Sequence, residues 1–460
     1  MNHPTFSSLS LNFALLDNIE SLGYKTMTPI QAQSLPLILD GKDVIGQGKT
    51  GSGKTAAFAL GLLDKLDVKN FCVQTLVLCP TRELADQVAN EIRKLARTIH
   101  NIKVLTLCGG MPFGPQAASL ARAAHVVVGT PGRIEDHLKR ATLKLDSLNI
   151  LVLDEADRML DMGFQETLDS IIEYTPKQRQ TLLFSATYPD QIQRIAKRIM
   201  INPVVVKAVV AHDDSSIQQY LFKIENTQGR FVALRLLLQH YHPESAVVFC
   251  NTKKETQEVA DNLIAEGFCV VALHGDLDQR ERDQALIRFA NKSASILVAT
   301  DVAARGLDID ALNAVINYHV AHDPEIHLHR IGRTGRAGNK GMAFTLYDEK
   351  ETHKIAQFEN YFDQRIEHQP LPPVSLLQKP AYQAEMTTLQ IDGGKKQKLR
   401  PGDILGALTG DHGVNGKSVG KINVYGSWAY VAVSRNVVNV ALNKLTSGKL
   451  KGRSFRVRRL

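Results

Sequence analysis

Short apolar runs rich in β-branched residues alternate with amphipathic stretches between residues 40 and 350. They include TLVLCP (75–80), VLTLCGG (104–110), HVVVGTP (125–131), ILVLDEAD (150–157) and TLLFSAT (181–187). Between the first two, Leu84, Val88, Ile92, Leu95 and Ile99 recur at intervals of three or four, which makes one apolar helical face. Continuous apolar strands separated by such helices predict a parallel sheet covered on both sides. A polar break, AHDDSS (211–216), interrupts the rhythm. It restarts with AVVFCN (246–251), CVVALHG (269–275), SILVATD (295–301), AVINYHV (314–320) and MAFTLY (342–347). The expectation is two tandem α/β lobes, residues 1–208 and 217–368.

Pro370, Pro372, Pro373 and Pro380 then mark a linker over residues 369–384, because proline removes backbone donors and stiffens the chain. Residues 385–460 read as a smaller α+β domain: a strand at TTLQID, a helix after Pro401, strands from Val419 to Val433, a helix from Val437 to Leu445 and a last basic strand. That β-α-β-β-α-β order fits a ferredoxin-like module such as the RNA recognition motif.

Composition narrows the class. The chain has 460 residues, 44% hydrophobic and 22% charged, ordinary for a folded protein of several domains. No apolar stretch is long enough to span a bilayer, and the start lacks the basic-then-apolar pattern of a secretion signal. The five cysteines never fall in CxxC spacing, so neither a disulfide framework nor a cysteine zinc site is expected, and a reducing cytoplasm fits. Charge is uneven. Residues 371–460 carry 15 basic and 4 acidic side chains, and residues 1–370 have a net charge of −3. A basic appendage on a near-neutral body points to a polyanion, with nucleic acid ahead of a merely solvated basic surface.

Three segments carry chemistry. GKTGSGKT (48–55) follows a short strand and precedes an apolar helix, so Gly51, Ser52 and Gly53 would turn backbone N–H groups toward phosphate oxygens. Lys54 adds a positive charge and Thr55 a hydroxyl for Mg2+. Asp154 and Glu155 end an apolar strand, where α/β sheets bind ligands: one carboxylate can hold a metal and the other orient water, although both could equally serve as a helix cap. HRIGRTGR (329–336) spaces Arg330, Arg333 and Arg336 three apart, as guanidinium groups for a transferring phosphoryl group or as a solvated loop. His319, His322, His327 and His329 show no HExxH pattern and are not read as a metal site.

With GYKTMTPIQ, PTRELA, GG, TPGR, DEAD, SAT, VVFCNTK, LHGD, QRER and ATDVAARGLDI in the same order, the chain resembles the DEAD-box ATP-dependent RNA helicases over residues 6–350. The resemblance implies two RecA-like lobes that close on ATP, with Mg2+, and bend one strand of a short RNA helix. It assigns the adenine edge to Gln31 with Phe6 nearby, the phosphates to Lys54 and Thr55, the metal to Asp154 and Thr55, and water activation to Glu155. Ser185, Thr187 and His329 would couple nucleotide state to closure, Asp308 would meet the ribose, and Arg333 and Arg336 would act as arginine fingers. RNA would cross Thr81, Arg82, Gly110, Thr130 and Arg133 in the first lobe, and Thr252, Gly275, Arg282 and Thr300 in the second. Met27 stands where proline is common, and Gly48 where alanine is usual.

The tail extends the resemblance to the bacterial DbpA subfamily, which implies targeting to a hairpin of 23S ribosomal RNA in pre-50S particles, with a monomer acting in the cytoplasm and no membrane. In GSWAYVAV (426–433), Trp428 and Tyr430 share one face, either to stack on RNA bases or only to pack, with the basic loops and C-terminal strand then binding RNA instead. Gly426 replaces the usual basic residue, and Gln390 stands where the partner strand normally has an aromatic. Two other readings stay open: a nucleotide-dependent RNA clamp or general RNA chaperone without ribosomal specificity, and a helicase acting on DNA.

Overall fold

The computed structural model describes residues 4–48, 51–207, 217–225, 227–304, 312–335, 341–363, 365–410 and 413–460. Seven strands form the first sheet: β1 (Val44–Gln47), β2 (Thr75–Leu78), β3 (Val104–Leu107), β4 (Val126–Gly129), β5 (Ile150–Leu153), β6 (Gln180–Ser185) and β7 (Val204–Lys207). All pairings are parallel, in the order β3-β4-β2-β5-β6-β1-β7. Strands β2, β4 and β5 are buried at every position, the reason their sequences are unbroken apolar runs. Helix Arg82–Leu95 buries Leu84, Val88, Ile92 and Leu95 along the expected stripe, and the Thr81 hydroxyl caps it by accepting from the Leu84 N–H.

The second sheet repeats this wiring. Its strands are β8 (Ile217–Lys223), β9 (Ala246–Cys250), β10 (Val270–Leu273), β11 (Ile296–Thr300), β12 (Ala314–Asn317), β13 (Gly341–Tyr347) and β14 (Glu367–His368). Their order, β10-β11-β9-β12-β13-β8-β14, follows the first with every number raised by seven, and all pairings are again parallel. These are two RecA-like lobes, and contacts divide the chain between β7 and β8 into two compact units.

The second unit also contains the tail: β15 (Met386–Ile391), helix Pro401–Thr409, β16 (Val419–Val424), β17 (Ala429–Ser434), helix Val438–Ser447 and β18 (Val457–Arg459). Its antiparallel order, β16-β17-β15-β18, completes the β-α-β-β-α-β arrangement. Leu389, Ile391, Val431 and Val433 face the two helices as the tail's own core.

The proline-rich segment is no solvated spacer. Leu371, Ala381 and Tyr382 pack on the second lobe's core, the Tyr382 hydroxyl donates to the Pro243 carbonyl (3.1 Å), and Gln239 donates to the Lys379 carbonyl (3.0 Å).

Candidate active site and RNA path

In the first lobe, helix Lys54–Asp64 starts where the phosphate loop ends, and Lys54 Nζ donates to the Gly48 carbonyl. Gly53 caps the helix at φ 93°, and a Cβ there would lie 2.5 Å from Gln31 Nε2 and 2.9 Å from the Thr28 hydroxyl. Only glycine fits. Gln31 Oε1 accepts from the Thr28 N–H (2.9 Å) and its Nε2 donates to the Gly53 carbonyl at 3.1 Å, so the residue expected to read the base already touches the loop expected to hold the phosphates. The Ser52 and Thr28 hydroxyls are buried there without a hydrogen-bond partner among the described residues. Phe6 is 3% exposed and packs edge-on to Tyr24 at 6.2 Å, so in this structure its ring belongs to the core.

Asp154 and Glu155 leave the end of β5 buried side by side. Burial pushes the Asp154 carboxyl up to about 7; Lys54 opposes this and Glu155 adds to it. A buried carboxyl short of positive charge, with the Thr55 hydroxyl one position beyond Lys54, is a fitting oxygen set for Mg2+, which keeps several waters and leans on substrate phosphates. Among the described residues no group of three His, Cys, Asp or Glu side chains forms a metal cage. Asp157 lies deeper. Burial raises its proton affinity, but the Thr187 N–H and the Arg158 charge outweigh burial and hold it below the ordinary carboxylate value. Its Oδ2 accepts from the Thr187 N–H and hydroxyl (both 3.0 Å) and from the Ala186 N–H (3.2 Å), while its own N–H donates to the Ser185 hydroxyl (3.3 Å). Ser185 and Thr187 are thereby bound to the carboxylate segment.

Sheet order separates two sets of residues. Gly48, Asp154 and Ser185 sit at the ends of β1, β5 and β6, which are adjacent strands; Thr81, Gly110 and Thr130 follow β2, β3 and β4, the other half of the same edge. Parallel α/β sheets bind ligands at this carboxyl edge. Arg133 Nη1 donates to the Met111 carbonyl (2.8 Å), and Thr130 accepts from the Gly109 N–H (3.4 Å), so the GG and TPGR loops brace one another. Arg82 lies 3.9 Å from Asp86.

The second lobe repeats the division. Thr252, Gly275 and Thr300 end β9, β10 and β11, Arg282 lies on the helix after β10 with Nη1 3.5 Å from the His274 carbonyl, and Arg333 follows the end of helix Pro324–Ile331 after β12. Arg330, the first arginine of HRIGRTGR, is neither on a solvated loop nor free for a phosphate: it is 1% exposed and spent inside the lobe, where Nε and Nη2 each donate to Asp301 at 2.7 Å, Nη1 to the His319 carbonyl at 2.7 Å and to Asn317, and Nη2 also to Asn251. A guanidinium buried this deeply must satisfy its donors locally, and three segments of the lobe, those after β9, β11 and β12, do so. Arg333 is buried next to it, and His329 is half-buried on the same helix. Asp308 and Arg336 lie outside the described residues.

The tail aromatics do not present an open platform. Thr388, Gln390, Tyr430 and Ala432, on the face opposite the tail core, are covered by the second lobe; Tyr430 is 1% exposed. Thr388 Oγ1 meets the Ser293 hydroxyl at 2.7 Å, Gln284 Nε2 donates to Gln390 Oε1 at 3.1 Å, and the Arg280 guanidinium lies 5.6 Å from the Trp428 ring centre. Base stacking on Tyr430, as the pattern suggested, is blocked in this arrangement. The polar Thr388 and Gln390 on a face expected to be aromatic were the signal that it meets protein. Basic side chains stay exposed on the loops at one end: Lys395, Lys396, Lys398, Arg400, Arg453 and Arg456.

The DEAD/DEAH box helicase family matches residues 28–195, the helicase conserved C-terminal domain residues 229–338, and the DbpA RNA binding domain residues 388–459. The chain is 52% identical over 456 residues to the ATP-dependent RNA helicase DbpA of Escherichia coli (strain K12), covering 99% of both. It is 45% identical over 370 residues to the DEAD-box ATP-dependent RNA helicase CshA of Geobacillus kaustophilus (strain HTA426), covering 80% of this chain and 79% of that one. Among solved structures it is similar to S. cerevisiae Dbp5 bound to RNA and ADP BeF3, with TM-score 0.72 and 32% identity over 82% of this chain and 100% of that one.

Proposed function

The chain belongs to the DEAD-box ATP-dependent RNA helicases, in their DbpA subfamily, and on that premise we propose that its tail directs it to a hairpin of 23S ribosomal RNA in precursors of the 50S subunit. RNA-dependent ATP hydrolysis is the family's activity. ATP would bind with Mg2+ held by Thr55 and Asp154 through the phosphates and water, and Glu155 would orient the attacking water. Lys54, Arg333 and Arg336 would stabilise the charge on the transferring phosphoryl group, where arginine fingers contribute about 10³–10⁵ in rate. Closure of the lobes on ATP would bend the strand held along Thr81, Gly110 and Thr130 and along Thr252, Gly275 and Thr300. Base-pair steps are worth about 1–2 kcal/mol, taking DNA as a stand-in, so bending a few nucleotides opens only short helices.

The observation that carries the targeting is the division of labour within the tail. Its sheet face is occupied by the second lobe, while the exposed lysines and arginines gather on its loops, within a segment of 15 basic and 4 acidic residues. A basic loop surface suits a folded hairpin, read by backbone and shape, better than an unstacked single strand. The test is ATPase activity of the whole protein across 23S ribosomal RNA fragments and unrelated RNAs of equal length. One fragment should half-saturate at least tenfold below the rest, with a steep salt dependence from counterion release. Equal stimulation by every RNA would leave a general RNA chaperone as the better reading.

A further inference from the structure

Arg158 follows the DEAD segment directly and belongs to none of the recognised motifs. It lies on the first turn of helix Ala156–Asp161 with 3% exposure, its Nε 3.3 Å from Glu155 Oε2. Both terminal nitrogens, and Glu155 Oε2, have no hydrogen-bond partner among the described residues. An arginine that serves only a finished core has its donors used, as Arg330 does; taking a guanidinium out of water costs several kcal/mol unless opposite charge and donors' partners are supplied. Here the opposite charge comes from Glu155.

Glu155 is itself unusual. It adopts φ 51°, ψ 51°, the left-handed region, which costs a side-chain-bearing residue about 1–3 kcal/mol and persists where the surroundings over-determine it. Two holds are visible. Its N–H donates to Asp154 Oδ1 (3.0 Å), and its carboxylate faces Arg158. The Arg158 N–H meanwhile donates to Oδ1 of Asp157 (3.0 Å), the carboxylate whose other oxygen grips Thr187. One residue thus touches both the carboxylate assigned to water activation and the one tied to the SAT segment.

We infer that Arg158 is a positioning residue for the hydrolytic step: it fixes the direction of the Glu155 carboxylate and links it to the Asp157–Thr187 contact. This rests on the reading of Glu155 as the group that activates water. Misplacing a reacting group by about 1 Å costs on the order of 10²-fold in rate. In RNA-stimulated ATPase assays, Arg158→Met should therefore lower kcat about 10- to 100-fold while leaving KM for ATP and fluorescent-nucleotide affinity within twofold. Arg158→Lys should recover part of kcat. The double variant Arg158→Met with Glu155→Gln should be no slower than Glu155→Gln alone, because Arg158 acts through that carboxylate. Arg158→Gln replaces the methionine variant if that one does not fold, with the same expected loss. Should Glu155→Gln alone keep full turnover, the base assignment falls and takes the inference with it. Should Glu155→Gln be inactive while Arg158→Met turns over within twofold of wild type, or the losses multiply in the double variant, the inference alone falls.

Discussion

The two RecA-like lobes share one strand order but treat one buried arginine each, Arg158 and Arg330, in opposite ways. The first leaves polar groups unsatisfied around its loop edge: the Ser52 and Thr28 hydroxyls, Glu155 Oε2 and both terminal nitrogens of Arg158. In the second, Arg330 is buried to the same degree, yet each of its nitrogens has a partner from Asp301, Asn317, the His319 carbonyl or Asn251. Unmet buried donors and acceptors cost about 1–3 kcal/mol each. A lobe that tolerates several of them at one edge is built for groups that arrive from outside. A cluster that closes its network, as Arg330 does, holds a shape: here the relative placement of the segments after β9, β11 and β12, which carry Asn251, Asp301 and Asn317 with His319.

The most severe way to break the comparison is to open the closed network. Arg330→Met leaves the half-buried Asp301 without its cation, and breaking a buried pair costs about 3–5 kcal/mol. Calorimetry should show a large drop for the transition of the second unit and little change in the first. A smaller effect sharpens the other side. ATP with Mg2+ at a hundredfold excess over its dissociation constant should stabilise the first unit by about 2.7 kcal/mol. Equal shifts in both units would contradict the idea that the first lobe's unmet groups receive the nucleotide.

The smallest effect is pH-dependent. Burial, helped by the Arg330 charge, pulls His327 down to about 3, so the folded lobe keeps it neutral. A folded value below the unfolded one means that the stabilisation is complete above about pH 6.5 and drains as pH falls toward 3. At pH 5 the loss is about 2 kcal/mol. Urea midpoints at pH 7 and 5 should show it in the second unit, and His327→Gln should flatten the difference.

The phosphate loop and the carboxylate pair were legible because each is a local pattern: residues 51–55 and 154–155 carry their chemistry within one turn of chain, and a strand before each locates it at a sheet edge. The place of Arg330 was illegible for the converse reason. In sequence it is one of three evenly spaced arginines, and only the arrival of Asn251, Asp301 and Asn317 from other strands buries it. Whether Tyr430 stacks or packs was equally illegible, since its face is covered by a helix about 150 positions earlier in the chain. Arg158 had no signal at all, because its meaning depends on the left-handed turn at Glu155.

From its amino acids alone this chain declared two α/β lobes, a nucleotide loop, paired acids, a basic β-α-β-β-α-β tail and a helicase resemblance, because apolar periodicity, glycine placement and charge are properties of neighbouring residues. Packing decided the shared strand order, the split of each sheet edge into two sets of residues, the anchoring of the tail through its sheet face, and which arginines are spent and which keep open donors. Those outcomes depend on which distant segments exclude water from a given side chain, and no spacing along a single chain records that.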